Sequence, residues 1–290
     1  MKKYKAIFFD WDGTAVLSRK APVDEVVAPM KKLLAQGVKL AVISGTTLEN
    51  IAEGKLHEYF TVEERKSLFL GLGRGAYNYA FDENGSPYLL SHRIPAKSGL
   101  IRIHDICYDI HRCLQEDYEI PTDIVFSRPN YCKIDLMVEN SRGESLFLQE
   151  GEKEQLIANL NSHGFTGGIR GLIDLAEDMG RKHGITVCAT TDAKYLEVGI
   201  SSKSDNVNDF MDYFGNQYQI REEECSFWGD EYIGFDECLF GSDSYMITEK
   251  TRHGEFFDVS DTEGLRPNEV KQVGGGVSSF IRFLTEQNNS

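Results

Sequence analysis

The sequence of 290 residues has few features of an extracellular or membrane protein. Its six cysteines, from Cys107 to Cys238, form no C-x-x-C pair and have no His at zinc-ligand spacing, which argues against a zinc module. No apolar run approaches the roughly 18 residues that a membrane helix needs. Acids follow the opening strand before the apolar core of a signal peptide is complete. These absences predict reduced thiols, a cytoplasmic location and no membrane partner.

Basic residues are also scarce. The chain has 31 Lys and Arg against 46 Asp and Glu, a net charge of −15. Because nucleic-acid affinity depends on cations that neutralise phosphates, this balance excludes a nucleic-acid partner. A small phosphorylated metabolite remains compatible, since a few local cations or a metal ion are enough to hold it.

Hydrophobic residues make up 41% of the chain, and this length usually divides into two domains. The segments "KAIFFD" and "VKLAVISG" are apolar throughout and alternate with helical patterns, which is typical of a parallel sheet covered on both faces. In the middle of the chain the pattern changes to adjacent strands and grouped helices. The alternation of strands and helices then returns. We therefore predict an α/β fold, with a doubly wound parallel-sheet core (1–83 and 199–290) and an inserted α+β domain (84–198).

Polar residues stand where the predicted core strands end. Asp10 and Asp12 follow the first strand, Ser44 and Gly45 follow the second, and Asp230 ends the late strand "CSFWGD". In doubly wound sheets, ligands bind outside the carboxyl ends of the strands. Clustered carboxylate oxygens suit Mg²⁺, which is commonly bound by one or two carboxylates together with substrate phosphate.

Four short stretches resemble the motifs of the haloacid dehalogenase superfamily of phosphotransferases, and they occur in that family's order. "DWDGT" at 10–14 is similar to its D-x-D-G-T signature and "VISG" to its second motif. Lys203 in "GISSKSDNVNDF" resembles the third-motif lysine, and "WGDEYIGFDE" resembles the acidic fourth motif. The insertion between the second and third motifs is similar to the large α+β cap of sugar-phosphate phosphatases in this superfamily.

The resemblance implies a Mg²⁺-dependent phosphatase that acts on a small phosphorylated metabolite, and sugar phosphates are the expected substrates. Asp10 is then the nucleophile that forms an aspartyl-phosphate, and Asp12 the acid that protonates the leaving group and later activates water. The implied metal ligands are Asp10, the Asp12 carbonyl and Asp230. The implied phosphate-binding residues are Ser44, Gly45 and Lys203.

Two assignments stay open at this point. The fourth motif needs a second acid, and its spacing departs from the family pattern, so we rank Asp236 first, Glu231 second and Asp243 third. Lys194 is the alternative to Lys203 as the phosphate-binding lysine.

Other functions compete with hydrolysis. A phosphomutase uses the same aspartyl-phosphate, and a catalytically silent phosphate-binding regulatory protein keeps the same pocket. The Gly-rich "GLGRG" at 71–75 suggests a dinucleotide-binding oxidoreductase, but aromatic strand residues follow it instead of an amphipathic helix. We therefore predict that this stretch is a turn.

Overall fold

A computed structural model describes residues 2–126, 128–139, 151–235 and 239–289. The chain forms two compact units. The first unit comprises Met1–His92, Ser202–Ile233 and Asp243–Ser290. The second unit comprises Arg93–Ser201 and Gly234–Ser242. The first unit is thus built from both ends of the sequence.

Strands and helices are numbered along the chain. The strands are β1 (Ala6–Phe9), β2 (Lys39–Ile43), β3 (Leu68–Leu72), β4 (Tyr77–Phe81), β5 (Pro87–His92), β6 (Asp123–Val125), β7 (Tyr131–Asp135), β8 (Cys188–Thr191), β9 (Tyr195–Gly199), β10 (Cys225–Gly229), β11 (Glu255–Asp258) and β12 (Val270–Gln272). The α-helices are α1 (Asp24–Ala35), α2 (Val62–Arg65), α3 (Lys97–Glu116), α4 (Glu152–Ser162), α5 (Gly168–Lys182), α6 (Lys203–Tyr218) and α7 (Gly276–Asn289).

An eight-stranded sheet forms the centre of the first unit, in the order β12-β11-β10-β1-β2-β3-β4-β5. Pairing is parallel from β12 to β3, and β4 and β5 add an antiparallel edge. Ile7 and Phe9 of β1 belong to one apolar cluster with residues of α1 and α7, and Phe8 belongs to another with residues of α6. Both faces of the parallel strands are therefore covered, which explains why their sequences do not alternate with polar residues.

The second unit has its own antiparallel sheet, in the order β6-β7-β9-β8. Ile134 of β7 and Leu196 of β9 form a separate apolar cluster with Ile106 of α3 and Leu172 of α5. The predicted α/β core with an α+β insertion is the architecture observed.

The observed units differ from the predicted boundaries at three places. Residues 199–201, predicted as part of the core, belong to the second unit. Residues 84–92 stay with the first unit because β5 pairs with β4. The segment Gly234–Ser242 is part of the second unit, where Phe235 and Leu239 are buried in its apolar cluster. The chain therefore leaves the first unit after Ile233 and re-enters it at Asp243.

Five of the six cysteines lie in the described ranges, and all five are free thiols: Cys107, Cys113, Cys132, Cys188 and Cys225. Across those same ranges, no helix combines the length and apolar character needed to cross a membrane.

Phe8 provides a test of the central packing. Its ring is fully buried and lies 4.7 Å from the ring of Phe227. We expect Phe8→Ala to lower the free energy of unfolding by about 3–5 kcal/mol, because it opens a cavity in the middle of the sheet. Urea denaturation followed by tryptophan fluorescence measures this, since both tryptophans, Trp11 and Trp228, are buried in the first unit.

The matched control is Leu265→Ala in the same unit, where the side chain is 62% exposed. Its effect should stay within about 0.5 kcal/mol. Equal losses for the two variants would contradict the packing described here.

Candidate active site

Asp10 and Asp230 reach the same edge of the sheet because the strands that precede them are parallel neighbours. In the register of β1 and β10, Phe9 lies opposite Trp228, and the Asp10 backbone N–H donates to the Trp228 carbonyl at 2.9 Å. Each aspartate is the residue that directly follows its strand. The two carboxylates are therefore delivered to the carboxyl end of the parallel sheet, where ligands bind in this architecture.

The loop after β1 turns sharply so that it can approach Asp230. Gly13 has φ of 85°, and a Cβ at this position would overlap the Asp230 carboxylate. The buried Thr14 hydroxyl donates to Asp230 Oδ1 at 2.9 Å. Glycine is needed here for two reasons, the left-handed backbone and the close approach.

Lys203 is the first residue of α6 and is buried. Its Nζ donates to Asp10 Oδ1 at 2.8 Å and to Asp243 Oδ1 at 2.7 Å. A cation at a helix N-terminus is opposed by the helix dipole, so the two carboxylates hold it there. Burial by itself lowers the pKa of Lys203, but Asp10 and Asp243 outweigh this effect and raise that pKa well above 10.5. Lys203 is therefore an ammonium ion at neutral pH.

Asp243 organises the fourth motif. Its Oδ2 accepts hydrogen bonds from the backbone N–H groups of Asp230 at 3.0 Å and Glu231 at 2.8 Å, while its Oδ1 accepts from Lys203. A Cβ on Gly229 would overlap the Asp243 carboxylate, so this glycine permits the approach. Asp243 thus connects the end of β10 to the lysine, and its own side chain is fully buried.

The charges of this cluster do not cancel. Asp10, Asp230 and Asp243 each offer a carboxylate oxygen, and these oxygens lie within 4.8 Å of one another. Burial raises the pKa of Asp10 and Asp230 well above 3.8; neighbouring carboxylates add to this, whereas Lys203 opposes it at Asp10. Three carboxylates and one ammonium carry a formal charge of −2 when ionised. A divalent cation with a preference for oxygen ligands, such as Mg²⁺, fits this donor set.

Asp12 lies outside this cluster and has a different partner. Its Oδ2 accepts from the Arg19 guanidinium at 3.2 Å, and its Oδ1 is buried with no hydrogen bond to any described residue. Burial raises the pKa of the Asp12 carboxyl, and Arg19 partly opposes this rise. Asp12 is thus a carboxyl in a desolvated position beside one cation.

The segment after β2 is held by the Gly-rich turn. Ser44 donates its backbone N–H to the Gly71 carbonyl at 2.9 Å, and Gly73 donates to the Thr46 carbonyl at 2.8 Å. The Ser44 hydroxyl accepts from the Thr46 N–H at 3.3 Å, and both residues are buried. The stretch 71–75 is therefore a strand end and a turn, as predicted, and it supports Ser44.

A buried asparagine joins the same turn to α6. Asn206, one helical turn after Lys203, accepts from the Gly75 N–H at 2.7 Å and donates to the Asn78 side chain at 2.8 Å. Asn206 is fully buried. The lysine and the serine segment are therefore tied to the same short piece of chain.

Contacts bring together Asp10, Lys203 and Asp230 among the predicted site residues. Parallel pairing of β1 with β2 places Ser44 and Gly45 at the same sheet edge as Asp10. Glu231 contributes its backbone N–H to Asp243.

The structure bears on both open assignments, the second acid of the fourth motif and the phosphate-binding lysine. Asp236, ranked first as the second acid, lies outside the described residues. Asp243, ranked third, is the acid that contacts Lys203. The alternative lysine, Lys194, belongs to the second unit, where it pairs with Asp135 at 2.9 Å.

Sequence reasoning assigned no role to Thr14, Arg19 or Arg74. Thr14 is part of the quoted "DWDGT" stretch, but Arg19 and Arg74 carry no signal in their spacing. Arg74 is buried, and its Cγ lies 3.5 Å from where a Cβ on Gly45 would be. Only the folded loops reveal these neighbours.

No protein-family model and no curated protein matches the chain. Solved structures do. An IMP-bound mutant of the Plasmodium falciparum IMP-nucleotidase aligns with a TM-score of 0.61 and 12% identity over 99% of this chain and 67% of its own. The sucrose-phosphatase of Synechocystis, in complex with sucrose and phosphate, aligns with a TM-score of 0.56 and 12% identity over 100% of this chain and 99% of its own.

The chain has the fold of these phosphatases. The similarity extends over both compact units, since the alignments include nearly all of the sequence. It confirms the predicted fold class, a Rossmann-like α/β core with an inserted domain. At this level of identity the likeness concerns the fold.

Asp230→Asn tests the charge imbalance of the cluster. Asparagine keeps an acceptor for Thr14 but removes one partly buried negative charge. We expect the metal-free variant to melt about 2–4 °C above the wild type. We also expect Mg²⁺ at about 100 times its Kd to raise the wild-type melting temperature by about 5–10 °C and the variant's far less. Differential scanning fluorimetry measures both shifts.

The pH dependence of this stabilisation has a defined sign. The pKa of Asp230 is raised above 3.8 in the folded protein. The free energy that this carboxyl takes from folding therefore grows as the pH rises from about 3.8 toward the folded-state pKa. The advantage of the variant should therefore be larger at about pH 8 than at about pH 5. The control is Asp212→Asn on the exposed face of α6. A Mg²⁺ shift of the same size in all three proteins would contradict this account of the cluster.

Proposed function

We propose that the protein is a Mg²⁺-dependent phosphatase that hydrolyses the phosphate monoester of a small metabolite through an aspartyl-phosphate on Asp10. One observation carries the proposal: a buried ammonium, Lys203, holds the Asp10 carboxylate at 2.8 Å beside Asp230 and Asp243. A carboxylate oriented in this way, with surplus negative charge around it, suits covalent phosphoryl transfer assisted by a cation.

Asp10 supplies the nucleophile in this mechanism. Lys203 binds Oδ1, which fixes the carboxylate plane and leaves Oδ2 to attack phosphorus. The bond from Asp10 to phosphorus forms as the bond from phosphorus to the ester oxygen breaks. Water then attacks the phosphorus of the aspartyl-phosphate, and the bond to Asp10 breaks to restore the carboxylate.

Asp12 supplies the proton transfers. Its raised pKa favours the protonated carboxyl that a departing alkoxide needs. In the second half-reaction the Asp12 carboxylate accepts a proton from the attacking water. The Arg19 guanidinium, at 3.2 Å, stabilises that carboxylate and fixes its orientation. Each turnover returns Asp12 to its starting protonation state.

The remaining residues neutralise the phosphoryl group. Lys203 and the Ser44–Gly45 turn act as its donors, and Asp10, Asp230 and the Asp12 carbonyl would hold Mg²⁺. When bound, the ion offsets charge on the non-bridging oxygens during transfer. Asp243 acts through Lys203 and through the backbone of the fourth motif, so it is a positioning residue.

The fold neighbours and the charge balance support the choice of substrate class. One neighbour is an IMP-nucleotidase with bound IMP, and the other is a sucrose-phosphatase with bound sucrose and phosphate. IMP and sucrose both contain hydroxylated sugar rings. We therefore propose a sugar phosphate as the substrate, with the second unit in the role of a cap domain. A cytoplasmic location is part of this proposal, and the free thiols support it.

Asp10→Asn tests the nucleophile. Phosphate release from a panel of sugar phosphates and p-nitrophenyl phosphate with Mg²⁺ should fall by at least about 10³-fold, because the amide does not attack phosphorus. Chelation of Mg²⁺ should abolish release by the wild type, and Asp212→Asn should keep full activity. Release that survives in Asp10→Asn, or none from the wild type, would refute the proposed reaction. Phosphoryl transfer to a sugar without net release would identify a phosphomutase.

Asp12→Asn separates the two half-reactions. With a sugar phosphate, the variant should lose about 10²–10⁴-fold in the first step, because the poor leaving group needs a proton. With p-nitrophenyl phosphate the first step should persist, since nitrophenolate leaves without one. Stopped-flow absorbance should then show a burst of one nitrophenolate per enzyme followed by slow turnover. Equal loss of the first step for both esters would assign the proton to another group.

A further inference from the structure

The first unit contains a cavity of about 580 Å³ that the mechanism does not use. Two segments of this unit line it: Arg19 and Lys20 belong to the first segment, and the exposed residues Lys55, Glu58 and Tyr59 belong to the second. Its volume falls within the roughly 300–1,000 Å³ of small-molecule sites.

Arg19 connects this cavity to the acid–base residue. Arg19 is one of the lining residues, and its guanidinium donates to Asp12 Oδ2 at 3.2 Å. The side chain of Arg19 is 30% exposed, whereas that of Asp12 is 11% exposed. A leaving-group oxygen protonated by Asp12 is therefore one side chain away from the cavity.

The second segment that lines the cavity has an unusual backbone. Ala52, Glu53 and Gly54 have consecutive φ values of 48°, 55° and 77°, and the first two are not glycine. Ile51 and Leu56, which are buried in the core of the unit, flank this left-handed run. Strained backbone persists only where the surrounding structure imposes it, and such residues cluster at ligand sites.

The charges of the lining balance. Three cations, Arg19, Lys20 and Lys55, face three acids, Asp24, Glu53 and Glu58. A second phosphate or a carboxylate on a ligand would meet as many acids as cations. Hydroxyl groups suit such a surface better, because each one donates to a carboxylate and accepts from an ammonium or guanidinium. The Tyr59 ring and the neighbouring Ala and Pro side chains add an apolar surface for the C–H face of a sugar ring.

We propose that this cavity is the subsite for the uncharged, polyhydroxylated leaving group of the substrate. The inference rests on the proposed phosphatase function, because it identifies the cavity as the place next to Asp12 where the released alcohol lies. It makes Lys55, Glu58 and Tyr59 specificity-determining residues of the first unit.

The test compares two substrates in the full-length protein with Mg²⁺: a hexose 6-phosphate and p-nitrophenyl phosphate, which lacks hydroxyl groups. Lys55→Ala and Glu58→Ala should each raise KM for the hexose phosphate about tenfold, since each removes a charged hydrogen-bond partner. The ratio of kcat/KM for the hexose phosphate to that for p-nitrophenyl phosphate should fall by the same factor. Lys31→Ala, on the exposed face of α1, is the matched control and should leave the ratio unchanged.

Tyr59 distinguishes ring contact from hydroxyl contact. Tyr59→Ala should reduce the substrate ratio, and Tyr59→Phe should restore it because the ring remains. Calorimetric titration of Asp10→Asn with the hexose phosphate gives a readout independent of turnover, and Lys55→Ala in that background should weaken binding about tenfold.

The outcomes separate the two claims. A wild type that hydrolyses both esters, with variants whose substrate ratio and binding match Lys31→Ala, overturns the cavity assignment and leaves the phosphatase proposal in place. Hydrolysis of p-nitrophenyl phosphate without hydrolysis or binding of any sugar phosphate also overturns the assignment. A wild type that hydrolyses no phosphate ester overturns both.

Discussion

One buried ammonium among three carboxylates, two of them buried and one partly buried, is the interaction on which the site depends. Lys203 touches Asp10 and Asp243 directly, and Asp230 completes the cluster. Moving ionised groups out of water costs several kcal/mol each unless partners replace the lost solvation. One lysine compensates part of this cost and leaves a formal charge of −2. In its ionised form the cluster therefore carries an electrostatic repulsion, which the proposed divalent cation would relieve.

The fold assembles this cluster from three distant parts of the sequence. Parallel pairing of β1 with β10 aligns Asp10 and Asp230, and the capping box of Ser202 with Asp205 starts α6 so that its first residue faces them. Asn206 then fixes the same helix to the Gly-rich turn. The larger part of the second unit, Arg93–Ser201, lies in the chain between β5 and α6, outside the strands that pair β1 with β10.

How much the sequence predicts depends on whether a residue is placed by a strand or by a loop. Asp10 and Asp230 follow uninterrupted apolar strands, so their position at the sheet edge follows from pattern alone. Asp243 does not, because the chain passes through Gly234–Ser242 of the second unit before it returns. Counting residues from Asp230 therefore favours Asp236, which lies nearer in sequence. The same limit explains the boundary at 84, where only strand pairing reveals that β5 remains with the core.

Two aspartates separated by one residue meet different environments, and this difference supports different roles. Burial and neighbouring carboxylates raise the pKa of Asp10, whereas its contact with Lys203 favours the carboxylate form, as the proposed cation would. Asp12 lies outside that cluster, where burial favours its protonated form and Arg19 moderates the effect. Gly13 then redirects the backbone toward Asp230. Because Arg19 also lines the cavity beside the site, the charge that tunes the proton donor is in contact with the space assigned to the leaving group. In the proposed reaction, this contact would couple substrate occupancy to proton transfer through a single guanidinium.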